Sequence, residues 1–263
     1  MKHIWNSFRL AFSIYSVFPS GQGKRNKDDM KYILIFVPLV GAIIGFLIRE
    51  WMLFSPYLLS NNFLGAVVCV MLPIFLSGGA FLDGFFRTVD ALCSHQPREG
   101  KLEILRDSHS GYFAIIICVC YFFIIVGLWS EMPLSSWAVL AHGFVLSRAL
   151  YGLSIVCFKH TQESKCSFYV GDDKNRILVA AFMVFYIIIS SVGMMKLDLD
   201  VAICCLVGAL LTFLYYCYVA FRHFGGITED IASFFVQVCE IMMPFIVLLA
   251  NLLTSIDFAS IKY

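Results

Sequence analysis

Seven runs of about 20 apolar residues constrain this chain more than any other feature. They lie near residues 32–50, 63–81, 111–130, 135–157, 177–195, 199–221 and 232–254. At 1.5 Å of rise per residue, a helix of about 20 residues crosses roughly 30 Å of hydrocarbon. Lipid offers the backbone no hydrogen-bond partners, so a span of this length must satisfy its own N–H and C=O groups as a helix. Pro38, Pro73, Pro244, Gly127 and Gly193 fall inside these runs, and membrane helices tolerate both residue types. Of the 263 residues, 60% are hydrophobic and 14% charged, where a soluble domain carries about a quarter charged. A water-soluble fold has no place to bury so much apolar surface. The expected fold is all-α: one integral membrane domain over residues 1–263, a polytopic helical bundle of about seven spans. A net charge of +1 gives no polybasic signal, so nucleic acid is not an implied partner and membrane lipid is. The sequence carries no signal of oligomeric state.

The few charges alternate between loops. Lys2, Arg9, Lys24, Arg25, Lys27 and Lys31 precede the first run; Arg87, Arg98, Lys101 and Arg106 follow the second; Lys159, Lys165, Lys174 and Arg176 follow the fourth; Arg222 follows the sixth. The opposite loops hold only Arg49 and Lys196, with Lys262 at the end. The positive-inside rule then predicts a cell-membrane protein with a cytoplasmic N-terminus and an external C-terminus. Asn6 and Arg9 interrupt the first 18 residues too soon for a signal peptide. On a helical wheel, Asn6, Arg9, Ser13 and Ser16 form a polar wedge against Trp5, Phe8, Phe12, Tyr15 and Phe18, which predicts an interfacial amphipathic helix. Anchoring is its simple role; contact with a bulky substrate at the membrane surface is the other. Eight of the ten cysteines lie in or at the edge of apolar runs and none forms a C-x-x-C pair. They read as small buried hydrophobes and not as a thiol or zinc site.

Chemistry therefore has to come from three charged returns. In GGAFLDGFFRTVDAL, a helix places Asp83, Arg87 and Asp90 on one face, with Gly78 and Gly79 permitting a break just before. About twenty residues on, Glu103, Arg106, Asp107 and Ser108 repeat the mixture, and FRHFGGITED supplies Gly225, Gly226, Thr228, Glu229 and Asp230, with Glu240 beyond. Carboxylates so placed suit Mg²⁺, a hard ion that takes oxygen ligands and is commonly shared with substrate phosphates. Taken singly, Asp83 with Arg87 is equally an ordinary i,i+4 ion pair, and the second cluster a solvated loop face. Arg148 falls in the middle of the fourth run, where a charge faces either a functional cavity or a structural partner; His142 reads as a core histidine.

These stretches resemble the cobalamin synthase family, the adenosylcobinamide-GDP ribazoletransferases. AFSIYSVFP, FVPLVGAIIG, LDGFFRTVDAL, KLEILRDSHSGYFA and GGITEDIASFFVQVCE occur in the family's order and extend over most of the chain. The resemblance implies transfer of α-ribazole, or its 5′-phosphate, onto adenosylcobinamide-GDP with release of GMP, using Mg²⁺, in the last steps of vitamin B12 assembly. Residue by residue, Asp83, Gly84 and Asp90 match the first motif; Arg106, Asp107, Ser108 and Gly111 the second; Gly225, Gly226, Thr228, Asp230 and Glu240 the third. Phe81 stands where the family pattern has His, Arg87 where it has Asp, Ala91 and Glu229 where it has Gly, and Gln237 where it has Glu.

On that basis Asp83, Asp90 and Asp107 are the expected metal ligands, and these three with Arg106 the expected catalytic set. Arg87, Ser108, Gly225, Gly226, Thr228, Asp230 and Arg148 are the expected substrate-binding residues. Asp107, Asp230 and His109 are open candidates for the general base. Two other classes stand beside this one. A CDP-alcohol phosphotransferase-like enzyme shares a DG motif near a helix end, but has a longer run of spaced aspartates and an A-R pair that this stretch lacks. A non-enzymatic transporter would carry charges at mid-membrane in several spans, where this chain places only Arg148.

Overall fold

The computed structural model describes residues 2–17, 27–59, 62–107, 111–161, 164, 166, 169 and 172–260. No strand occurs among them; a single backbone bridge joins His160 to Ile227. The helices are α1 (Lys2–Tyr15), α2 (Lys27–Met30), α3 (Ile33–Leu58), α4 (Asn62–Ser77), α5 (Ala80–Cys93), α6 (Arg98–Arg106), α7 (Tyr112–Ser130), α8 (Trp137–Cys157), α9 (Asp173–Leu197), α10 (Leu199–Val219) and α11 (Glu229–Ser260). Six of these, α3, α7, α8, α9, α10 and α11, are long and apolar enough to cross a bilayer, and α4 with α5 forms a seventh, broken unit. The chain is a multi-pass helical membrane bundle.

The break is where the second apolar run departs from a simple span. Gly78 and Gly79 take φ of +62° and +74°, a left-handed conformation that only glycine adopts cheaply. The Gly79 N–H closes back onto the Ile74 carbonyl at 3.0 Å, which ends α4 as a glycine cap ends a helix. The axis then turns through 97°, and α5 leaves α4 with its acidic residues at the end of the bundle instead of inside it.

Within the bundle α8 is central, 78% buried along its span against 22% for α7 and α9. Its Arg148 and Glu240 of α11 are 1% and 5% exposed. Arg148 Nη1 donates to Glu240 Oε1 at 2.5 Å and to the Phe144 carbonyl at 3.1 Å, the Ser147 hydroxyl donates to the same Glu240 oxygen at 3.2 Å, and the guanidinium lies over the Phe81 ring, 5.0 Å from its centroid. The mid-span charge is thus met by a buried partner on a neighbouring helix, the arrangement in which an intramembrane ion is tolerable.

Helix α1 lies against α3 through Leu10, Ala11, Phe12 and Tyr15, all buried, and leaves Ile4 and Trp5 exposed. Asp29 ties down its start: it pairs with His3 at 2.7 Å, accepts from the Asn6 amide at 3.2 Å, and its carbonyl accepts from the Ser7 hydroxyl at 2.6 Å. Ser16, expected on the polar wedge, is buried and donates to the Phe12 carbonyl at 2.5 Å. The helix is amphipathic, and its last turn points into the bundle's charged end.

Candidate active site

A cleft of about 510 Å³ opens where the end of α1, α5, α6, the segment after α8 and the first turns of α11 meet. Asp83 and Arg87 of α5, Arg106 of α6 and Thr228, Glu229, Asp230 and Ser233 around the start of α11 line it, with Ile14, Tyr15, Thr161 and Ser164 completing the wall. Asp83 is 61% exposed and takes the Arg87 Nε at 3.0 Å, one helical turn on. The convergence of α5 with α11 depends on Gly84. A Cβ there would lie 2.7 Å from the Ser233 Cβ and 3.0 Å from the Asp230 Cα, so hydrogen alone lets the two helices approach this closely.

The third return is shaped in steps. A π-helical turn over Ala220–Phe224 ends at Gly225, with φ +71°, and Gly226 then passes so near the chain after α8 that a Cβ would lie 2.9 Å from the His160 carbonyl carbon. Two backbone bonds fix the crossing: Ile227 N–H to the Lys159 carbonyl at 3.0 Å and Thr161 N–H to the Ile227 carbonyl at 3.2 Å. Thr228 caps α11, its hydroxyl accepting from the Ile231 N–H at 3.3 Å. Glu229 and Asp230 occupy the first turn, where the helix dipole favours negative charge.

Glu229 Oε1 accepts from the Tyr15 hydroxyl at 3.2 Å and the Tyr169 hydroxyl at 3.4 Å, and Tyr15 meets the Tyr151 hydroxyl at 3.0 Å. Burial, and after it the neighbouring Tyr151 and Glu229, pushes the Tyr15 phenol well above its usual range. Tyr15 is therefore a hydrogen-bond donor at neutral pH. The Tyr15 ring stacks on Phe81, centroids 5.5 Å apart.

Among the described residues no group of three or more His, Cys, Asp or Glu side chains is gathered to hold a metal ion. The cleft offers separated oxygen donors, Asp83 on one wall and Glu229 and Asp230 on the other. That donor set fits a Mg²⁺ ion completed by water and substrate phosphate, not a closed protein cage.

The model of the cobalamin-5-phosphate synthase family matches residues 7–248. The chain belongs to that family. It is 36% identical to an adenosylcobinamide-GDP ribazoletransferase of Lachnoclostridium phytofermentans, over 94% of each chain. It is 27% identical to a protein of the same name from Clostridium perfringens strain 13, over 91% of this chain and 96% of the relative. No solved structure matches. These likenesses favour neither a CDP-alcohol phosphotransferase nor a transporter.

The structure brings the cobalamin synthase family's three motifs to one end of the bundle, but not every motif residue to the cleft. Asp83, Arg87, Arg106, Thr228 and Asp230 line it. Asp107 caps the end of α6 beside Arg106 and is exposed. Asp90 is not among the lining residues; its carboxylate accepts the Gly111 N–H at 3.0 Å, which ties the start of α7 to α5. Gly225 lines an adjoining cleft, while Gly226 holds the crossing described above. Arg148, expected to bind substrate, is instead paired with Glu240 inside the bundle and does not line the cleft. Ser108 and His109 lie outside the described residues. The cleft also gains Tyr15, Thr161, Ser164, Glu229 and Ser233, none of them in the expected site. Ser233 sits one turn from Glu229 and bonds to its carbonyl at 2.9 Å, a spacing that was available in the sequence. Thr161 and Ser164 carry no local signal.

Proposed function

We propose that this chain joins α-ribazole or its 5′-phosphate to adenosylcobinamide-GDP with release of GMP, a late step of cobalamin assembly. The observation that carries the proposal is the convergence of the neighbouring helices α5 and α6 with the start of α11, distant in sequence, on one cleft holding Asp83, Arg87, Arg106 and Asp230. The names of the relatives supply the substrate class.

In the reaction, a ribose hydroxyl oxygen bonds to the phosphorus attached to cobinamide, the bond from that phosphorus to the bridging oxygen breaks, and GMP departs with that oxygen. Such transfers depend on alignment and on neutralising charge at the phosphoryl oxygens. Arg106 faces the leaving GMP, for which a guanidinium fork suits two phosphate oxygens. Arg87 keeps Asp83 oriented and adds positive charge to the same wall. Asp230 accepts the hydroxyl proton. Tyr15 and Tyr169 hold Glu229 by one carboxylate oxygen and fix its direction. Mg²⁺, when bound, would supply further neutralisation of the diphosphate, and Asp83 and Glu229 are the residues we assign to hold it; Asp90 supports the site by tying Gly111, at the start of α7, to α5. The protein sits in the cell membrane, N-terminus and cleft on the cytoplasmic side, with lipid around the spans; the loop charges support this orientation.

The test is incubation of the purified protein in lipid vesicles with adenosylcobinamide-GDP, Mg²⁺ and either nucleoside, with mass detection of the joined corrinoid. Absence of product with both nucleosides would overturn the proposal.

A further inference from the structure

A second cleft of about 540 Å³ adjoins the first and shares Leu102, Arg106 and Thr161 with it. Its charged lining is Arg98, Lys159 and Arg106, with His160, against Glu99 and Glu103. Arg98 is seated by the third return: a Cβ on Gly225 would collide with the Arg98 guanidinium. Neither the Arg98 nor the Lys159 side chain has a hydrogen-bond or ion-pair partner among the described residues. Behind the same helix Lys101 is buried, 8% exposed, and bonds to His223 Nδ1 at 3.3 Å, so a further cation backs the cleft. His160 is held by its Nε2 against the Ile155 carbonyl at 2.6 Å. Three cations, Arg98, Lys159 and Arg106, thus face two carboxylates around a space large enough for a phosphate and part of a sugar.

The two clefts differ in what they accept. The first sets three carboxylates, Asp83, Glu229 and Asp230, beside two guanidinium groups, Arg87 and Arg106, so it offers a free phosphomonoester less net positive charge than the second. The second presents an unpaired guanidinium and an unpaired ammonium, groups that bind phosphate by charge-assisted hydrogen bonds. On a nucleoside 5′-phosphate, the phosphate and the ring hydroxyls are separated only by the sugar. A ribose hydroxyl reacting in the first cleft therefore delivers its 5′-phosphate past Arg106 into the second. We infer that the second cleft holds the phosphomonoester of the nucleotide co-substrate, and that Arg98 and Lys159 set the preference for α-ribazole 5′-phosphate over α-ribazole. The inference rests on the proposed transferase function and adds residues that none of the three motifs supplied.

The experiment uses the full chain in vesicles and compares kcat/KM for the two nucleosides in wild type, Arg98→Ala, Arg98→Lys and Lys159→Ala. The expected result is that each alanine variant lowers the ratio of phosphorylated to unphosphorylated kcat/KM by about tenfold or more, the loss of one hydrogen bond to a charged group, chiefly through KM. Arg98→Lys retains part of the preference. Inorganic phosphate should compete with α-ribazole 5′-phosphate in wild type and less effectively in Arg98→Ala. An unchanged ratio in both Arg98→Ala and Lys159→Ala overturns the inference while leaving the transferase function standing. A wild-type chain that joins neither nucleoside overturns the transferase function itself, and this inference with it.

Discussion

Replacing Gly84 by Ala tests whether the approach of α5 to α11 builds the cleft. The added methyl would sit 2.7 Å from the Ser233 Cβ and 3.0 Å from the Asp230 Cα, where carbon atoms pack comfortably at about 3.5 to 4.0 Å. Helix α11 must back away by roughly 1 Å at this point, an overpacking strain of about 1 to 3 kcal/mol. Against that, alanine in a helix interior is better than glycine by about 0.8 to 1.0 kcal/mol. The net loss of stability is about 0 to 2 kcal/mol, so the bundle should fold. Activity should suffer more, because Asp83 rides on α5 and Asp230 on α11, and a misplacement of about 1 Å can cost on the order of 100-fold in rate. Thermal unfolding in detergent and GMP release in vesicles, measured on the same preparation, separate the two effects. Ser233→Gly in the Gly84→Ala background removes the nearer obstacle and should recover part of the rate. A Gly84→Ala protein with wild-type kcat/KM would refute the claim that this contact positions the two acids.

Arg87→Ala should change stability by only about 0.2 to 0.5 kcal/mol, the worth of an i,i+4 pair, yet raise KM for the GDP-activated corrinoid more than for the nucleoside; equal kinetic constants for both substrates would reduce Arg87 to an ion-pair partner of Asp83. Arg148→Ala should destabilise the bundle by about 3 to 5 kcal/mol by stranding Glu240, whereas Arg148→Met with Glu240→Leu should recover most of it, as read by unfolding in mixed detergent. Burial raises the Cys166 thiol from 9.0 to about 12, so the fold favours the neutral thiol; that contribution is intact below pH 9 and lost as pH rises towards 12. Cys166→Ala should flatten the alkaline stability loss in this window, and an unaltered slope would contradict the burial.

Much of this architecture is legible because the bilayer leaves few choices. Apolar runs mark spans, and the Gly78–Gly79 pair marks where α4 stops, although the run itself continues to residue 81 and hides the 97° turn. The LDG and GGITED stretches announce Asp83, Gly84 and Asp230 by residue type and spacing. Contacts between distant segments are another matter. Nothing near Arg148 points to Glu240, 92 residues away, and nothing near Tyr15 points to Glu229, 214 residues away. Asp90 shares its helical face with Asp83, but a face is broad, and a backbone N–H at Gly111 claims its carboxylate. Periodicity assigns faces; only packing decides which residues on a face meet.

The measurement that bears most directly on the central claim is GMP release from adenosylcobinamide-GDP, dependent on added α-ribazole or its 5′-phosphate, by wild type, Asp83→Asn and Asp230→Asn in vesicles containing Mg²⁺. Each substitution keeps side-chain size while removing a carboxylate from one wall of the cleft. The expected result is nucleoside-dependent GMP release by wild type and loss of most of it in both variants, with their thermal unfolding unchanged. Full turnover by either folded variant would contradict the account.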